Sequence, residues 1–449
     1  MASSLPSGWR RTSVQAIASD VPGAIAIGPF GSRLKSDKYV RDGVPVIRGT
    51  NLKGSRYFDE AFVYVSETTA EELRSCIVTE GDLVFPHRGA IGEVGIVQRQ
   101  HPRYLLSTSM MKFTCNRNDA DPLYVYYYFR SPTGRHELLQ NASQVGTPGI
   151  ATPLTSLKSA KIILPPLREQ RAIASALGAL EDKIELNRHM NHSLEQIARA
   201  IFQSWFVDFD PVWAKQEGRQ PAGIDADTVA LFPNDFEESE LGPIPKGWRV
   251  GPLTDIIDIN PTRRVSRGSE ATFVEMADMP TDGPRVLQTT KRLVDGSGAR
   301  FQSGDVLLAR ITPSLEHGKT AYVDFLPDRR VGFGSTEFIV MHSRQGFPPE
   351  YAYFIARDPN FRAHAIQNMS GTSGRQRVPA ESLAYYGLVQ PDAVVADRFG
   401  LIARNFFAKI RANDEESRTL AAIRDTLLPK LISGEIRIKD AEKIVGEAV

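Results

Sequence analysis

The sequence predicts an α+β fold built twice. Two globular blocks, each a twisted β-sheet with helices, are joined by two long antiparallel coiled-coil helices in a pseudo-two-fold internal repeat. Three observations carry this. Segments recur in one order along the chain, short β-prone runs open each half, and a long helical stripe closes each half.

The recurrence comes first, because a missed repeat misreads the whole fold. Leu5-Pro-Ser-Gly-Trp9 returns as Ile244-Pro-Lys-Gly-Trp248, and Gly81-Asp-Leu-Val as Gly304-Asp-Val-Leu. Ser107-Thr-Ser-Met-Met-Lys-Phe113 is matched by Ser335-Thr-Glu-Phe-Ile-Val340, and Tyr124-Val-Tyr-Tyr-Tyr-Phe129 by Tyr351-Ala-Tyr-Phe354. Pro165, Asn187 and Leu194 return 226 positions later as Pro391, Asn413 and Leu420. Single matches arise by chance; a shared order and near-constant spacing do not.

The β-prone runs include Val44-Pro-Val-Ile47, Asp82-Leu-Val-Phe85, Val306-Leu-Leu308 and Phe338-Ile-Val340, punctuated by Gly, Pro and Asp. The first helix starts after Pro165-Pro166. Its stripe is Ile173, Leu177, Leu180, Ile184, Asn187, Asn191, Leu194, Ala198, Ile201 and Trp205, in steps of four and three. That is a coiled-coil seam. The second stripe runs Phe399, Ala403, Phe406, Ile410, Asn413, Ser417, Leu420, Arg424, Leu427, with Arg424 out of character. Pro429 is expected to kink or end this helix, and Gly434 to stop it. The equal lengths and the matching polar defects at Asn187 and Asn413 predict that the helices pair with each other. Helices of about 40 residues span about 60 Å, so the pair would act as a ruler between the blocks.

The resulting plan is a first globular block (1–165), a central helix (166–207), an acidic connector (208–243), a second block (244–390), a distal helix (391–438) and a charged tail (439–449). A chain of 449 residues is too long for one core. No apolar run approaches the length of a membrane helix and no signal peptide is evident, so no membrane role is expected. Two cysteines, Cys76 and Cys115, argue against a disulfide framework and fit a reducing cytoplasm.

The net charge of +1 hides an uneven distribution. Residues 1–165 hold 19 basic and 14 acidic residues, and 244–390 hold 18 and 15. The connector holds 2 and 9. Two mildly basic blocks are masked by one acidic segment, and since phosphate affinity follows local charge, the near-zero total is weak evidence against nucleic acid. The candidate contacts to nucleic acid are loops rich in Gly, Arg and Asn. In the first block these supply Arg33, Lys35, Arg48, Asn51, Lys53, Arg88, Gln144 and Thr147. In the second they supply Arg263, Arg264, Arg310, Ser373, Arg375, Gln376 and Arg377. Arg and Lys neutralise phosphate, and Arg, Asn and Gln can grip base edges with paired hydrogen bonds. Any one of them alone is better read as a solvated surface residue; basic loops at equivalent places in both copies favour binding.

Catalytic signatures are lacking. Gly318-Lys319-Thr320 resembles the end of a phosphate-binding loop, but Pro313 stands where its first glycine belongs. His189 and His192 on the helix lack a further ligand cluster and read as solvated, so no metal is expected. No nucleophile–base set appears at recognisable spacing. The chain is expected to bind and position rather than catalyse.

Over nearly its whole length the sequence resembles type I restriction–modification specificity subunits. The residues that carry the resemblance include Leu164-Pro-Pro-Leu-Arg-Glu-Gln170, Phe202-Gln-Ser-Trp-Phe-Val-Asp-Phe209, Ser370-Gly-Thr-Ser-Gly-Arg-Gln-Arg-Val-Pro379 and Leu427-Leu-Pro-Lys-Leu-Ile-Ser-Gly-Glu435. The second copy departs from the family's helix entry, with Gln390-Pro-Asp-Ala in place of the Pro-Pro-Leu pattern. The resemblance implies two target-recognition domains on double-stranded DNA, each reading half of a split site. It implies two methyltransferase subunits that carry S-adenosylmethionine and flip out an adenine, and restriction/translocase subunits that join them. No cofactor is expected on this chain itself. The alternative is a coiled-coil assembly scaffold that reads no DNA.

Overall fold

The computed structural model describes residues 5–143, 146–286, 288–372 and 374–446. It divides into one unit of Met1–Leu186 with Glu416–Val449 and another of Asn187–Glu415.

In the first unit the apolar run Leu83–Pro86 is central in an antiparallel sheet ordered Ile25–Ile27, Met110–Phe113, Leu83–Pro86, Gly95–Ile96. Phe113 sits between Ile25 and Leu83, and Met111 between Ile27 and Phe85. All four residues of Leu83–Pro86 are buried, which suits an interior strand covered on both faces. A second sheet is ordered Tyr39–Val40, Val63–Val65, Val44–Ile47, Tyr104–Leu106, Ile77–Val78. Only Val44–Ile47 and Tyr104–Leu106 run parallel among these pairs. Arg10–Ser13 pairs antiparallel with Lys161–Leu164 and closes the unit just before the long helix.

Helix Pro122–Arg130 starts with proline after an Asp121 cap, whose Oδ1 accepts from Tyr124 N at 3.0 Å. Its aromatic residues are buried throughout. Tyr124 donates its hydroxyl proton to the Ile163 carbonyl at 2.8 Å, which satisfies the polar end of an interior ring. Ser131 then caps Pro132–Leu139.

The second unit repeats this order of pairing. Its antiparallel sheet runs Ile257–Ile259, Phe338–Ser343, Val306–Ala309, Thr320–Tyr322. Its other sheet runs Thr290–Leu293, Glu270–Val274, Val331–Gly334, Ala299–Gln302, again with one parallel pair, Glu270–Val274 with Val331–Gly334. Arg249–Pro252 pairs with Gly387–Gln390, as the closing strands do in the first unit. Helices Pro349–Arg357 and Pro359–Gln367 match the first unit's pair. The sheet with the parallel pair has one strand more in the first unit, the short edge strand Tyr39–Val40. The duplication expected from the sequence is thus a duplication of topology.

Two long helices, Leu167–Phe206 and Ala393–Ser433, run through both units. In the first unit Ile173, Leu177 and Leu180 share one buried cluster with Leu420 and Leu427, and Ile184 packs at its edge. Glu181 meets Arg424 there, and Lys183 meets Glu416. In the second unit Ile410 is buried, with Leu194, Ile201 and Phe406 packed against the same cluster. Asn187 Nδ2 donates to the Asn413 carbonyl at 3.3 Å, and Asn413 Nδ2 donates to Asn191 Oδ1 at 2.8 Å. Numbers fall along one helix as they rise along the other, so the helices pair antiparallel, and Asn187 touches its own repeat equivalent.

Two expectations are corrected and one is narrowed. The second helix continues past Pro429, so the proline does not end it, and it stops at Gly434 as expected, where a φ of +75° is the left-handed conformation glycine accommodates. The segment 208–243 is folded rather than a bare connector. It holds helices Asp210–Gln216 and Ala226–Ala230 and a hairpin from Phe236–Ser239 to Gly242–Pro245, and it buries Val212 and Phe232 with Trp205 and Trp248. The tail contains helix Ile438–Gly446, because Ile438 and Ala441 sit three apart and cover apolar surface of the first unit.

Candidate nucleic-acid interface

In the first unit the loop after strand Ile25–Ile27 is pinned where Gly28 N donates to the Met110 carbonyl at 2.8 Å. A side chain at Gly28 would overlap the Ser107 carbonyl, so glycine is required for this close approach. Beyond it Arg33 and Lys35 are exposed. Arg33 keeps one long bond to the Glu72 carbonyl, at 3.4 Å. The next loop corrects the expectation for Asn51. That residue is 1% exposed. Its amide donates to the Asp59 carbonyl and its Oδ1 accepts from Arg48 N, both at 2.9 Å. Asn51 therefore shapes the loop and is buried away from any base edge. Arg48 is half-buried and donates to the Ala61 carbonyl at 3.2 Å, while Lys53 is exposed, 3.7 Å from Asp59.

Arg88 is exposed at the end of the central strand and bridges to Gly149. Gly89 N donates to the Pro148 carbonyl at 2.8 Å. The structure thus brings Arg88 beside the turn that carries exposed Thr147. Gln144 lies outside the described residues. His87, next to Arg88, has its imidazole held below the usual value by burial, with Arg88 adding to the effect and a hydrogen bond to the Thr108 carbonyl opposing it. The shift favours the neutral imidazole.

In the second unit Arg263 is turned inward. Its Nη2 lies 3.1 Å from Oδ1 of Asp305, a fully buried carboxylate that also meets His342 Nδ1 at 2.7 Å. Arg264 is exposed and borders a separate hollow with Lys291, Arg329 and Arg330. Arg310 is half-buried, and its backbone ties two elements together. Its N donates to the Glu337 carbonyl at 3.0 Å, and its carbonyl accepts from Val378 N at 2.9 Å. Exposed Arg375 and half-buried Gln376 sit on the loop so held. Ser373 lies outside the described residues. Arg377 forms a bidentate pair with Glu337 through Nε at 2.9 Å and Nη2 at 2.6 Å. Hydrogen bonding from Arg377 lowers the Glu337 carboxyl below its usual value, and the Arg310 charge contributes.

Sequence reasoning missed two residues here. Glu337 orients Arg377, and Arg300, on strand Ala299–Gln302, lines one cavity together with Arg263 and Arg310. A signal for Arg300 existed. The strand ladders place it at the position Ile77 occupies in the first unit, opposite Phe333 as Ile77 is opposite Leu105. A partly buried isoleucine in one copy is thus an arginine in the other.

The decoy motifs have structural roles. Lys319 donates its ammonium to the Met276 carbonyl at 2.7 Å. His192 is not merely solvated, because its Nδ1 lies 3.1 Å from Asp282. Among the described residues no helix is long and apolar enough to cross a membrane.

Residues 31–196 match the family model described as the type I restriction modification DNA specificity domain. The chain is 26% identical over 420 residues to the type I restriction enzyme HindI specificity subunit of Haemophilus influenzae, covering 80% of this chain and 87% of that protein. It is 25% identical over 461 residues to the MjaIX specificity subunit of Methanocaldococcus jannaschii, covering 97% and 95%. The fold is similar to that of the type I restriction–modification S subunit from M. genitalium, with a TM-score of 0.55, 13% identity, and 96% and 97% of the two chains covered.

Proposed function

We propose, for a chain that belongs to the family of type I restriction–modification specificity subunits, a division of labour in which each unit reads one half of a split DNA target. The chain is a DNA sequence-specificity subunit and works with the other subunits of a restriction–modification complex. The observation that carries the two-reader proposal is the doubled topology with basic loops at equivalent ends. Arg88 adjoins the turn at 146–149, and Arg310 adjoins the loop at 370–377.

In this reading Arg33, Lys35, Lys53, Arg88 and Thr147 serve one half-site, and Arg264, Arg310, Arg375, Gln376 and Arg377 the other. The long helices set the spacer and offer their outer faces to two methyltransferase subunits. Those subunits bring S-adenosylmethionine and the chemistry, while this chain is non-catalytic. Restriction/translocase subunits complete the assembly, which acts on DNA in the cytoplasm.

The test is co-expression with a cognate methyltransferase subunit, followed by mapping of methylated adenines across the host DNA. A two-part motif with a fixed gap is the expected result. A stable complex that methylates without a split motif would refute the two-reader proposal. Salt-independent DNA retention, or none, would move the scaffold reading forward.

A further inference from the structure

We infer that the second unit carries a dedicated phosphate-binding cavity, walled by Arg263, Arg300 and Arg310, that takes a single phosphodiester of the DNA backbone. The inference rests on the DNA-reading proposal for this loop cluster and assigns it a specific anion site.

The cavity has a volume of about 430 Å³. Its lining includes three arginines and no carboxylate, with Thr262 and Thr336 as neutral donors and Phe338 on an apolar wall. Nε of Arg263, Arg300 and Arg310 is in each case buried with no hydrogen-bond partner among the described residues. Arg263 is compensated by Asp305 and Arg310 lies near the Glu337 charge, so Arg300 is the guanidinium of the three left for an anion in the hollow to compensate. The carboxylates nearby are already committed. Asp305 holds Arg263 from behind, and Glu337 is gripped by Arg377. Arg300 donates to the Gly296 carbonyl at 3.3 Å, a neutral acceptor that leaves its charge uncompensated. A phosphodiester, with one negative charge over two non-bridging oxygens that each accept more than one hydrogen bond, matches such a set of forked donors.

The first unit lacks two of these cations at the equivalent positions, with Ile77 for Arg300 and His87 for Arg310, and it carries Lys112 where the second unit has Val340. Lys112 donates its ammonium to the Ile77 carbonyl at 2.9 Å instead. The cavity is therefore a feature of one reader and not of the shared scaffold. Its rim continues into the Arg375–Arg377 loop through the backbone bonds of Arg310, so a phosphate there would set the register of that loop on the duplex.

The test uses the full chain with two probes, a random-sequence 30-base-pair duplex and inorganic pyrophosphate. Arg300→Gln and Arg310→Gln are compared with wild type and with Arg300→Lys, with thermal melting to verify folding. One lost phosphate contact lowers the slope of log affinity against log salt by about 0.9. The wild-type advantage over Arg300→Gln should then shrink about three- to fourfold between 50 and 200 mM salt, while Arg300→Lys keeps most of the slope. Saturable pyrophosphate binding, lost in Arg300→Gln, is also expected. Unchanged slopes in both glutamine variants, with a wild type that binds duplex in a salt-dependent way, overturn the inference. If wild type does not retain duplex, the DNA-reading proposal has failed. Pyrophosphate then decides the cavity separately: binding lost in Arg300→Gln supports an anion site filled from a free source, and no binding overturns it.

Discussion

The buried charge cluster at Glu181 allows a quantitative test of how the two long helices are held. Glu181 is 2% exposed by its side chain, Arg130 19% and Arg424 14%. The carboxylate accepts from Arg130 at 3.2 Å and Arg424 at 3.1 Å on one oxygen, and from the Tyr127 hydroxyl at 3.0 Å on the other. It thus joins the first long helix, the second long helix and helix Pro122–Arg130. Glu181→Ala leaves Arg130 largely out of water with no paired carboxylate, and leaves Arg424 only its exposed neighbour Asp425. Removing one partner of a buried pair costs about 3–5 kcal/mol. Arg424→Met keeps the Arg130 and Tyr127 bonds, so it should cost less, about 1.5–3 kcal/mol for a lost charged hydrogen bond. Urea unfolding followed by circular dichroism reads both. With a denaturant slope of about 2–3 kcal/mol per molar, Glu181→Ala should lower a midpoint by about 1–2 M. Hydrogen exchange should show Pro122–Arg130 opening with it. If Glu181→Ala loses less than about 1 kcal/mol, or no more than Arg424→Met, the cluster does not hold the helices together and the reasoning fails.

Four further outcomes are expected. Gly28→Ala, by forcing a methyl against the Ser107 carbonyl, should displace the Arg33–Lys35 loop and weaken contact with one half-site, read by footprinting; unchanged protection would remove that loop from the interface. Arg375→Ala should weaken binding at the other half-site alone, and equal loss at both would break the two-reader model. Asp225 is held down to about 2 by its hydrogen bonds from the Thr228 hydroxyl and backbone N–H, with Arg398 adding to them. A depressed carboxyl stabilises the fold above its ordinary value of 3.8 and loses that contribution as pH falls towards 2; a carbon-detected titration giving a midpoint near 3.8 would contradict the cap. Cys115 is buried and its thiol is pushed well up, chiefly by burial and then by Asp121 and Asp82, so it should resist Ellman's reagent at pH 8; rapid native labelling would refute this.

The topology was legible because duplication prints itself twice. Asn187 and Asn413, 226 positions apart, were read as matching defects in two seams, and they turn out to touch. Periodicity also found Leu177, Leu180, Leu420 and Leu427, since burial of a helix stripe is a local property of spacing. The site was less legible because residue type does not reveal what a side chain meets. Asn51 has the chemistry of a base reader, yet it is buried and its amide is bonded within its own loop. Arg263 and Arg377 are held by Asp305 and Glu337, 42 residues downstream and 40 upstream respectively. Such pairings come from sheet order, which the local pattern does not encode. Arg300 was overlooked because it falls within a strand rather than a Gly-rich loop.

The two units solve the same electrostatic problem differently, and the difference bears on register. Arg130 and Arg357 end equivalent helices, and each meets a buried carboxylate. In the first unit that carboxylate is Glu181. Its repeat equivalent in the second unit is Phe407, which is apolar and buried. There the acid is Glu195, fully buried, bonded to Arg357 at 3.2 Å and to the Tyr353 hydroxyl at 2.6 Å. Both acids therefore lie on the first long helix, and in the first unit the opposing cation, Arg424, lies on the second. A leucine-rich seam alone tolerates a slip of one heptad, because any apolar rung can replace another. A slip here would move Glu181 and Arg424 about 10 Å apart along the axis and leave Arg424 only the exposed Asp425 beside it on its own helix. The loss of that buried contact, of the size given above for Arg424→Met, opposes the slipped state. Arg424, which looked like a flaw in the apolar stripe, is then the residue that fixes where along the first helix the second one sits. If the helices set the spacing of the DNA target, that spacing depends on a buried salt bridge as well as on helix length.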